Sequence, residues 1–286
     1  MKKILISGST GFIGSYLLKN LYSKNKIYII LRSKSKNLEK IKKYKDIKII
    51  SYNTFDQLNK KLKKITIDII IHCATHYVKK HTFEDLADLN KSNILLGNII
   101  LENLKVMKVK KFINFSTVWE DYNSIKENSY NLYSVYKKSF SLLINYYSKN
   151  LPKISFFNMM ISDTFGENDE RLKIINVLRK NYKKNKITKI ISKNLFINLL
   201  NIDDIASAVK LIIKKDIKAG KYILKNTASY KMIDLIHSFN INAKKKLKVK
   251  WMSNKVLKEK IYPYKKIANW VPKKSLMIDI IKIIKK

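Results

Sequence analysis

The chain has 286 residues, 46% of them hydrophobic, so it can bury a substantial core and is not intrinsically disordered. Its single cysteine, Cys73, excludes an internal disulfide, and no apolar stretch approaches the roughly 20 residues that cross a bilayer, so no membrane insertion is expected. The formal net charge of +39 rests on 60 basic residues spread along the chain, and because only three of these are arginine we expect no nucleic-acid partner.

The first 24 residues are predicted to form a strand, a glycine-rich turn and a helix. KKILIS is a short run of β-forming residues, GSTGFIG follows it, and SYLLKNLYSK carries Leu17, Leu18 and Leu21 at helical spacing. Further apolar runs are predicted as strands and alternate with lysine-rich helical stretches; they are KIYIILR, DIKIIS, IDIIIHCA, KKFINFS and KISFFNM. Such alternation is typical of a parallel sheet covered on both faces. We therefore predict an α/β fold, a Rossmann-like doubly wound sheet over residues 1–162.

Three of the six glycines lie within seven residues, at Gly8, Gly11 and Gly14. Where a first strand turns directly into a helix, such glycines permit a tight turn and a close approach to a pyrophosphate, which the helix N-terminus binds. The spacing is GxxGxxG rather than GxGxxG, and a purely structural turn is the alternative. The residues predicted to bind a dinucleotide here are Gly8, Ser9, Thr10, Gly11, Phe12, Ile13 and Gly14.

The end of the second predicted strand indicates which dinucleotide is bound. An acidic residue at this place accepts the ribose hydroxyls of NAD, but here the strand ends in Arg32 and continues with Ser33 and Lys34. A cation and a hydroxyl suit the 2′-phosphate of an adenosine. We therefore predict NADP(H) rather than NAD(H), with Arg32 and Ser33 as contacts, although a chance cation in so basic a chain is the alternative.

A candidate catalytic pair lies in the segment NLYSVYKKSF, where Tyr133 and Lys137 are four positions apart. In a helix this spacing puts both side chains on one face, where the ammonium favours the phenolate and makes the tyrosine a usable proton donor near neutrality. Upstream, FINFSTVWE ends a predicted strand with Ser116 and Thr117, and a hydroxyl there can polarise a reacting carbonyl. The alternative for the pair is a solvated helix face, since the chain has 17 tyrosines and many lysines.

The order of these motifs resembles the extended short-chain dehydrogenase/reductase family, also described as the NAD-dependent epimerase/dehydratase family. Other matching segments extend over nearly the whole chain; they are IIHCATHY, KSNILLGNIIL with Asn93, DTFGEND, NIDDIASAV and ANWVPKKSL. Within the family, the chain is most similar to nucleotide-sugar 4-ketoreductases. The resemblance implies that residues 163–286 form a smaller lobe that binds the nucleotide-sugar.

The resemblance also implies a role for each site residue. Thr117 holds the reacting oxygen, with Ser116 as the open alternative, Tyr133 transfers the proton and Lys137 orients the cofactor. The residues implied to line the cofactor in addition to the glycine turn are Cys73, Ala74, Thr75, Tyr133 and Lys137.

The chain departs from the family pattern in two places. Dehydratases of the family carry Asp-Glu directly after the active-site threonine, and Val118-Trp119 stand there in this chain, so elimination of water is not expected. Arginines that contact the nucleotide phosphates in the family are absent at the corresponding positions. We predict that Arg171 or Lys173 binds the substrate diphosphate instead.

These observations predict NADPH-dependent reduction of a keto group on a nucleotide-activated deoxysugar in surface polysaccharide biosynthesis. A nucleotide-sugar epimerase with tightly bound NAD(P) and a non-catalytic NADP-binding regulatory protein are the alternatives.

No metal is expected, because His72, His76 and His81 fit no common metal-binding spacing. We expect a cytoplasmic enzyme. Its oligomeric state stays open, and the resemblance implies that the helices with NILLGNIILENL and Tyr133 would form the interface if the protein is a homodimer. The sugar, the base and the stereochemistry of the product stay open.

Overall fold

The protein is represented by a computed structural model that describes residues 1–33, 39–272 and 276–285. The chain forms two compact units. Unit 1 comprises Met1–Met160, Ile212–Ile223 and Tyr262–Ile267, and unit 2 comprises Ile161–Leu211, Leu224–Ile261 and Ala268–Lys286. The roles predicted for residues 1–162 and 163–286, cofactor binding and substrate binding, stay predictions.

The described residues contain thirteen strands and ten α-helices. The strands are β1 (Lys3–Ser7), β2 (Lys26–Arg32), β3 (Lys48–Tyr52), β4 (Ile69–His72), β5 (Lys111–Thr117), β6 (Ser155–Ile161), β7 (Asp163–Phe165), β8 (Thr188–Ile190), β9 (Phe196–Ile197), β10 (Leu199–Asn201), β11 (Gly220–Leu224), β12 (Tyr230–Lys231) and β13 (Val249–Trp251). The helices are α1 (Phe12–Leu21), α2 (Glu39–Lys42), α3 (Phe55–Leu62), α4 (Asp85–Asn90), α5 (Leu96–Glu102), α6 (Leu132–Asn150), α7 (Ile174–Lys183), α8 (Ile202–Lys214), α9 (Met232–Ile241) and α10 (Leu276–Lys285). Short 3₁₀ segments occupy Tyr22–Lys24 and Val118–Ser124, and a π-helical turn occupies Lys91–Leu95.

Seven strands form the main sheet, in the order β11-β6-β5-β4-β1-β2-β3. The pairings β1–β2, β2–β3, β1–β4 and β4–β5 are parallel. All six strands predicted from apolar runs are present, and the Rossmann-like α/β fold is confirmed. The seventh strand, β11, was not predicted, because GKYIL is a short run far along the chain in a lysine-rich context.

The strands are apolar along their whole length because helices cover both faces of the sheet. In β1, Ile4, Leu5 and Ile6 are completely buried. One core cluster joins Leu5 to Ile70 on β4 and to Phe140 on α6. Burying such side chains contributes about 1.5–3 kcal/mol each.

The helix α5 approaches α6 closely at a glycine. A Cβ atom on Gly97 would lie 2.4 Å from the ring of Phe140 and 3.1 Å from Nε2 of His72. The absence of a side chain at this position therefore lets the aromatic ring fill the space between the two helices and the end of β4.

Unit 1 also includes a short segment from near the C-terminus, Tyr262–Ile267. The amide of Ile223 on β11 donates to the carbonyl of Lys265 at 2.8 Å, and Lys221 Nζ lies 4.6 Å from the ring centroid of Tyr264. Residues 262–267 therefore line one side of β11, although the chain on both sides of them belongs to unit 2.

Unit 2 has its own apolar core, built from α7, α9 and α10. The C-terminal helix α10 places Ile280, Ile283 and Ile284 in this core, beside Leu178 and Phe239. Apolar residues at helical spacing bury one face of α10 while its lysines point outward. None of the helices in the described ranges is long and apolar enough to cross a membrane.

Candidate active site

In the glycine turn between β1 and α1, backbone atoms pack directly against other backbone atoms. Gly8 has φ +69°, and a Cβ atom there would lie 2.5 Å from the amide nitrogen of Ala74. A Cβ atom on Gly14 would lie 2.1 Å from the carbonyl oxygen of Gly8. The Gly8 carbonyl accepts a hydrogen bond from Gly11 N at 3.0 Å, which closes the turn. Only glycine fits positions 8 and 14 without moving the backbone.

This turn has the features that suit a diphosphate. Gly11 is the N-cap of α1, no side chain caps the helix, and its first turn has no acidic residue. The first amides of a helix have no partners within the helix and attract an anion. Ser9 is completely buried, and its Oγ has no hydrogen-bond partner among the described residues. An uncapped helix start and an unsatisfied hydroxyl fit the phosphates of a dinucleotide. Thr10, Phe12 and Ile13 are half-buried around them.

Residues at the end of β4 form hydrogen bonds with Ser7, the residue that precedes the glycine turn. The amide of Cys73 donates to the carbonyl of Ser7 at 3.1 Å, and Ser7 Oγ lies 2.7 Å from Nδ1 of His72. Burial and, to a smaller extent, the charge of Lys137 lower the pKa of His72 to about 3, so the imidazole is neutral. Burial also raises the pKa of the Cys73 thiol, which leaves it protonated and unreactive. Both side chains therefore pack at the site without acting as acid, base or nucleophile.

Asn93 fixes the loop that follows β4. It is buried, and its Oδ1 accepts from Thr75 Oγ1 at 2.7 Å and from His76 N at 2.9 Å, while its Nδ2 donates to His76 O at 3.0 Å. Three hydrogen bonds from one buried amide hold the loop rigidly. Ala74 is thereby buried against the glycine turn, and Thr75 stays exposed.

Arg32 and Ser33 lie at the same edge of the sheet as the glycine turn, because β2 runs parallel to β1. Arg32 is opposite Tyr52 in β3, and Ser33 N donates to Tyr52 O at 2.9 Å. Both Arg32 and Ser33 are exposed. Lys34, which follows them in the sequence, lies outside the described residues.

Tyr133 and Lys137 lie in the first turns of α6. Asn131 caps this helix in a capping box with Ser134, with hydrogen bonds of 3.0 Å in both directions. Tyr133 is half-buried and Lys137 is 3% exposed. Burial lowers the pKa of Lys137 to about 8, while the negative charge of Glu120 acts to raise it.

The hydroxyls of Ser116 and Thr117 have different partners. Ser116 is buried in β5 and donates its hydroxyl to the carboxylate of Glu120. Thr117 is the last residue of β5, and its Oγ1 accepts from Trp119 N at 3.2 Å. Within the described part of the chain, the Thr117 hydroxyl acts only as an acceptor, so it can still donate to a bound oxygen. This arrangement favours Thr117 over Ser116.

Contacts within unit 1 connect these separate stretches of sequence. Gly8 packs on Ala74, and the charge of Lys137 acts on the neighbouring Cys73. The ring of Tyr77 makes an edge contact with Tyr133, with centroids 5.0 Å apart, and lies 6.4 Å from the ring of Trp119. The loop after β4 therefore touches the glycine turn, the tyrosine–lysine helix and the segment after Thr117.

In unit 2, Arg171 and Lys173 are held by carboxylates. Arg171 Nε and Nη2 lie 2.8 Å from the two oxygens of Asp169, and Nη2 also donates to Thr164 O and Oγ1 at 2.9 Å. Lys173 Nζ lies 2.7 Å from Asp163 Oδ1. Their predicted contact with the substrate diphosphate stays a prediction.

The two acids that follow Trp119 were missed from the sequence. Glu120 is fully buried, with Lys221 Nζ 2.9 Å from its carboxylate. Asp121 accepts from Lys138 Nζ at 2.7 Å and from the Tyr264 hydroxyl. The scarcity of acids in this chain could have drawn attention to the pair, but nothing in the sequence indicates partners more than 100 residues away.

Comparisons with known proteins bear on the family and the fold of the chain. A family model described as the NAD-dependent epimerase/dehydratase family matches residues 4–224. The chain is 28% identical over 241 residues to CDP-abequose synthase from Salmonella muenchen, covering 84% of this chain and 79% of that one, and 28% identical to the Yersinia pseudotuberculosis protein of the same name, covering 75% and 74%. A similar fold occurs in UDP-glucuronic acid 4-epimerase from Bacillus cereus in complex with UDP-glucuronic acid and NAD, with TM-score 0.79, 21% identity and 99% of both chains covered.

The glycine turn makes a prediction about folding that requires no ligand. Gly14→Ala is expected to lower the free energy of unfolding by about 2 kcal/mol or more, because the new methyl group would overlap the Gly8 carbonyl. Gly11→Ala is the matched control, since its Cβ would meet nothing nearer than 3.4 Å. Urea unfolding of both variants measures the difference, and equal stabilities would contradict the described turn.

The buried ammonium of Lys137 makes a second prediction. Because the pKa of Lys137 is about 8 in the folded chain and 10.5 in a free lysine, the unfolded chain binds more protons between these values, and this residue's contribution to stability rises with pH across the window. Lys137→Met is therefore expected to stabilise the protein at pH 7 by about 1–3 kcal/mol, and by less near pH 10.5. Urea unfolding at both pH values tests this, with Lys149→Met at the exposed end of α6 as control. A gain that does not change with pH would contradict it.

Proposed function

The chain belongs to the NAD-dependent epimerase/dehydratase family, and from that premise we propose that it reduces a keto group on a nucleotide-activated deoxysugar with NADPH, in surface polysaccharide biosynthesis. As a member of the extended short-chain dehydrogenase/reductases it is an NAD(P)-dependent oxidoreductase. The observation that carries the proposal is the convergence of the glycine turn, Thr117 and the Tyr133–Lys137 helix around the loop after β4.

Each proposed role follows from the surroundings of the residue. The Tyr133 hydroxyl protonates the alkoxide that forms as the keto group is reduced. The Thr117 hydroxyl donates to the same oxygen and polarises it. Lys137 is still mainly an ammonium at neutral pH, since its pKa is about 8, and its charge stabilises the phenolate left on Tyr133. The dinucleotide, when bound, supplies the hydride.

The acids near Thr117 favour reduction over elimination of water. Elimination needs a carboxyl group that can donate or accept a proton at the substrate. Glu120 is occupied by Lys221 and two serine hydroxyls, and Asp121 by Lys138 and Tyr264. Reduction is also consistent with the similarity to CDP-abequose synthases at 28% identity.

The preference for NADP(H) is proposed from Arg32 and Ser33. Both are exposed beside the glycine turn, where a guanidinium and a hydroxyl can bind the 2′-phosphate. The similar epimerase from Bacillus cereus is described in complex with NAD. The cofactor preference of this chain therefore rests on its own side chains at the end of β2.

Two further parts of the proposal concern partners. Arg171 and Lys173 bind the substrate diphosphate, which requires the phosphates to compete with Asp169 and Asp163. A homodimer forms through α5 and α6, and the exposed apolar stripe on α6 supports it; the stripe consists of Val135, Leu142 and Tyr146.

The main test is reduction of 4-keto-6-deoxy nucleotide sugars. With NADPH and a panel that varies the base, we expect loss of absorbance at the reduced-nicotinamide band, and Tyr133→Phe should lower kcat by about 10²- to 10⁴-fold. Tyr22→Phe, at an exposed tyrosine that follows the C-terminal end of α1, is the control and should retain wild-type activity. A Tyr133→Phe variant as fast as the wild type would remove the catalytic role of this residue.

The same assay separates the alternative functions. Purified protein that retains NAD(P) and interconverts two nucleotide-sugars without net NADPH consumption would be an epimerase. Protein that binds NADP and transforms no member of the panel would be a regulatory protein.

Arg32 provides the test of cofactor preference. Arg32→Asp removes the proposed 2′-phosphate contact and adds a carboxylate for the ribose hydroxyls, so the ratio of kcat/KM for NADPH to that for NADH should fall by at least about tenfold. Lys26→Asp, at the opposite end of β2, controls for the change of charge. If both variants have the same ratio as the wild type, Arg32 does not select the cofactor.

A further inference from the structure

A fully buried carboxylate lies beside the candidate site and has no role in the reaction proposed above. Glu120 is in the 3₁₀ segment after β5, three residues beyond Thr117, and its side chain has no exposed surface. A buried carboxylate is costly unless its oxygens are paired and hydrogen-bonded. What surrounds it therefore indicates why the chain keeps it.

Three side chains from three elements donate to Glu120. Lys221 Nζ on β11 lies 2.9 Å from Oε2, and Ser141 Oγ on α6 lies 2.6 Å from Oε1. Ser116 on β5 donates its hydroxyl to Oε1 as well. The carboxylate thus ties the strand that ends in the active-site hydroxyl to the helix that carries the tyrosine–lysine pair.

The helix side of this connection is itself held in place. Ser141 is four residues after Lys137, one turn along the same face of α6. Ser141 Oγ accepts from Asn158 Nδ2 at 2.8 Å, and Asn158 Oδ1 accepts from Asn114 Nδ2 at 2.8 Å. All these side chains are buried, so the network runs from Glu120 across β6 and β5 without contact with water.

The charges around Lys137 give Glu120 an electrostatic role. Burial lowers the pKa of Lys137, and the carboxylate of Glu120 acts against this. The Cys73 thiol is protonated and contributes no charge. His72, which faces Lys137 from β4, is neutral at pH 7 because its pKa is about 3. Tyr133 lies one turn before Lys137 on the same helix.

The groups that face Glu120 itself are few. Lys221 on β11 is its ion-pair partner, and the serine hydroxyls are neutral. Tyr264 lies nearby, and its pKa is raised by burial and by Asp121, with a smaller contribution from Glu120. Asp121 is paired with Lys138.

We propose that Glu120 is a positioning residue: its carboxylate holds the Thr117 segment against α6 and keeps the Lys137 ammonium charged inside a dry site. This inference rests on the proposed function, together with the cofactor-orienting role that the family resemblance implies for Lys137. It extends the Thr117–Tyr133–Lys137 set by a residue that touches neither substrate nor cofactor.

The test is dinucleotide binding as a function of pH, which requires no sugar substrate. Glu120→Gln removes the charge but keeps the size of the side chain, so Lys137 should lose its proton at lower pH. We expect NADPH, followed by its own fluorescence, to bind the variant with nearly wild-type affinity near pH 6.5 and about three- to tenfold more weakly near pH 8.

Three further variants separate charge from structure. Glu120→Asp keeps the charge and should retain the wild-type pH profile even if it lowers stability. Lys221→Met removes a cation near the same carboxylate, so binding should persist to higher pH, and this variant serves if Glu120→Gln does not fold. Glu102→Gln is the control, because this exposed carboxylate accepts from Tyr147, ten residues and about 15 Å along α6 from Lys137.

The outcomes are distinct for this inference and for the proposed function. If Glu120→Gln and Lys221→Met both bind NADPH with the wild-type pH profile, Glu120 is only structural and the inference is overturned. A shift in Glu120→Asp equal to that in Glu120→Gln overturns it too. If the shifts occur as expected but no sugar is reduced, the inference stands and the proposed substrate fails. Wild-type protein that binds no dinucleotide refutes both.

Discussion

The structure of the candidate site depends on backbone packing against backbone at the carboxyl edge of the sheet. Gly8 and Gly14 leave no room for side chains because the end of β4 and the turn itself occupy that space. This contact brings the start of α1 and the loop after β4 to one point. Through Tyr77 the same loop contacts Tyr133 and Trp119, and the charge of Lys137 acts on its Cys73.

A second constraint is the placement of charge in a dry interior. The protein buries the ammonium of Lys137 and the carboxylate of Glu120 near each other, each at an energetic cost that a neutral pair would not have. The cost is compatible with the proposed function, because an ammonium kept charged in a dry site stabilises the phenolate of the neighbouring tyrosine. The protein thus gives up some folding stability to keep Lys137 charged inside the site.

The sequence predicted the sheet well because its strands are apolar along their whole length, a pattern that only a sheet covered on both faces requires. Strand β11 was missed, since five residues of ordinary composition carry little periodicity.

Within the site, Gly8, Gly14 and the Tyr133–Lys137 spacing could be recognised because each depends on local geometry. The pairing of Glu120 with Lys221 spans 101 residues and leaves no local signal. The bonds of Arg171 to Asp169 and Thr164 were likewise beyond prediction, because an arginine next to an acid can face either a ligand or its neighbour.

The division of the chain has a consequence for how the protein is made. The sheet of unit 1 is completed by Gly220–Leu224 and lined by residues 262–267, so β6 stays at an open edge until most of the chain has left the ribosome. Open edges of a sheet invite pairing with other chains, and contacts between distant residues form slowly. A truncated product that ends after β6 would lack the strand that covers this edge and would offer it to other chains.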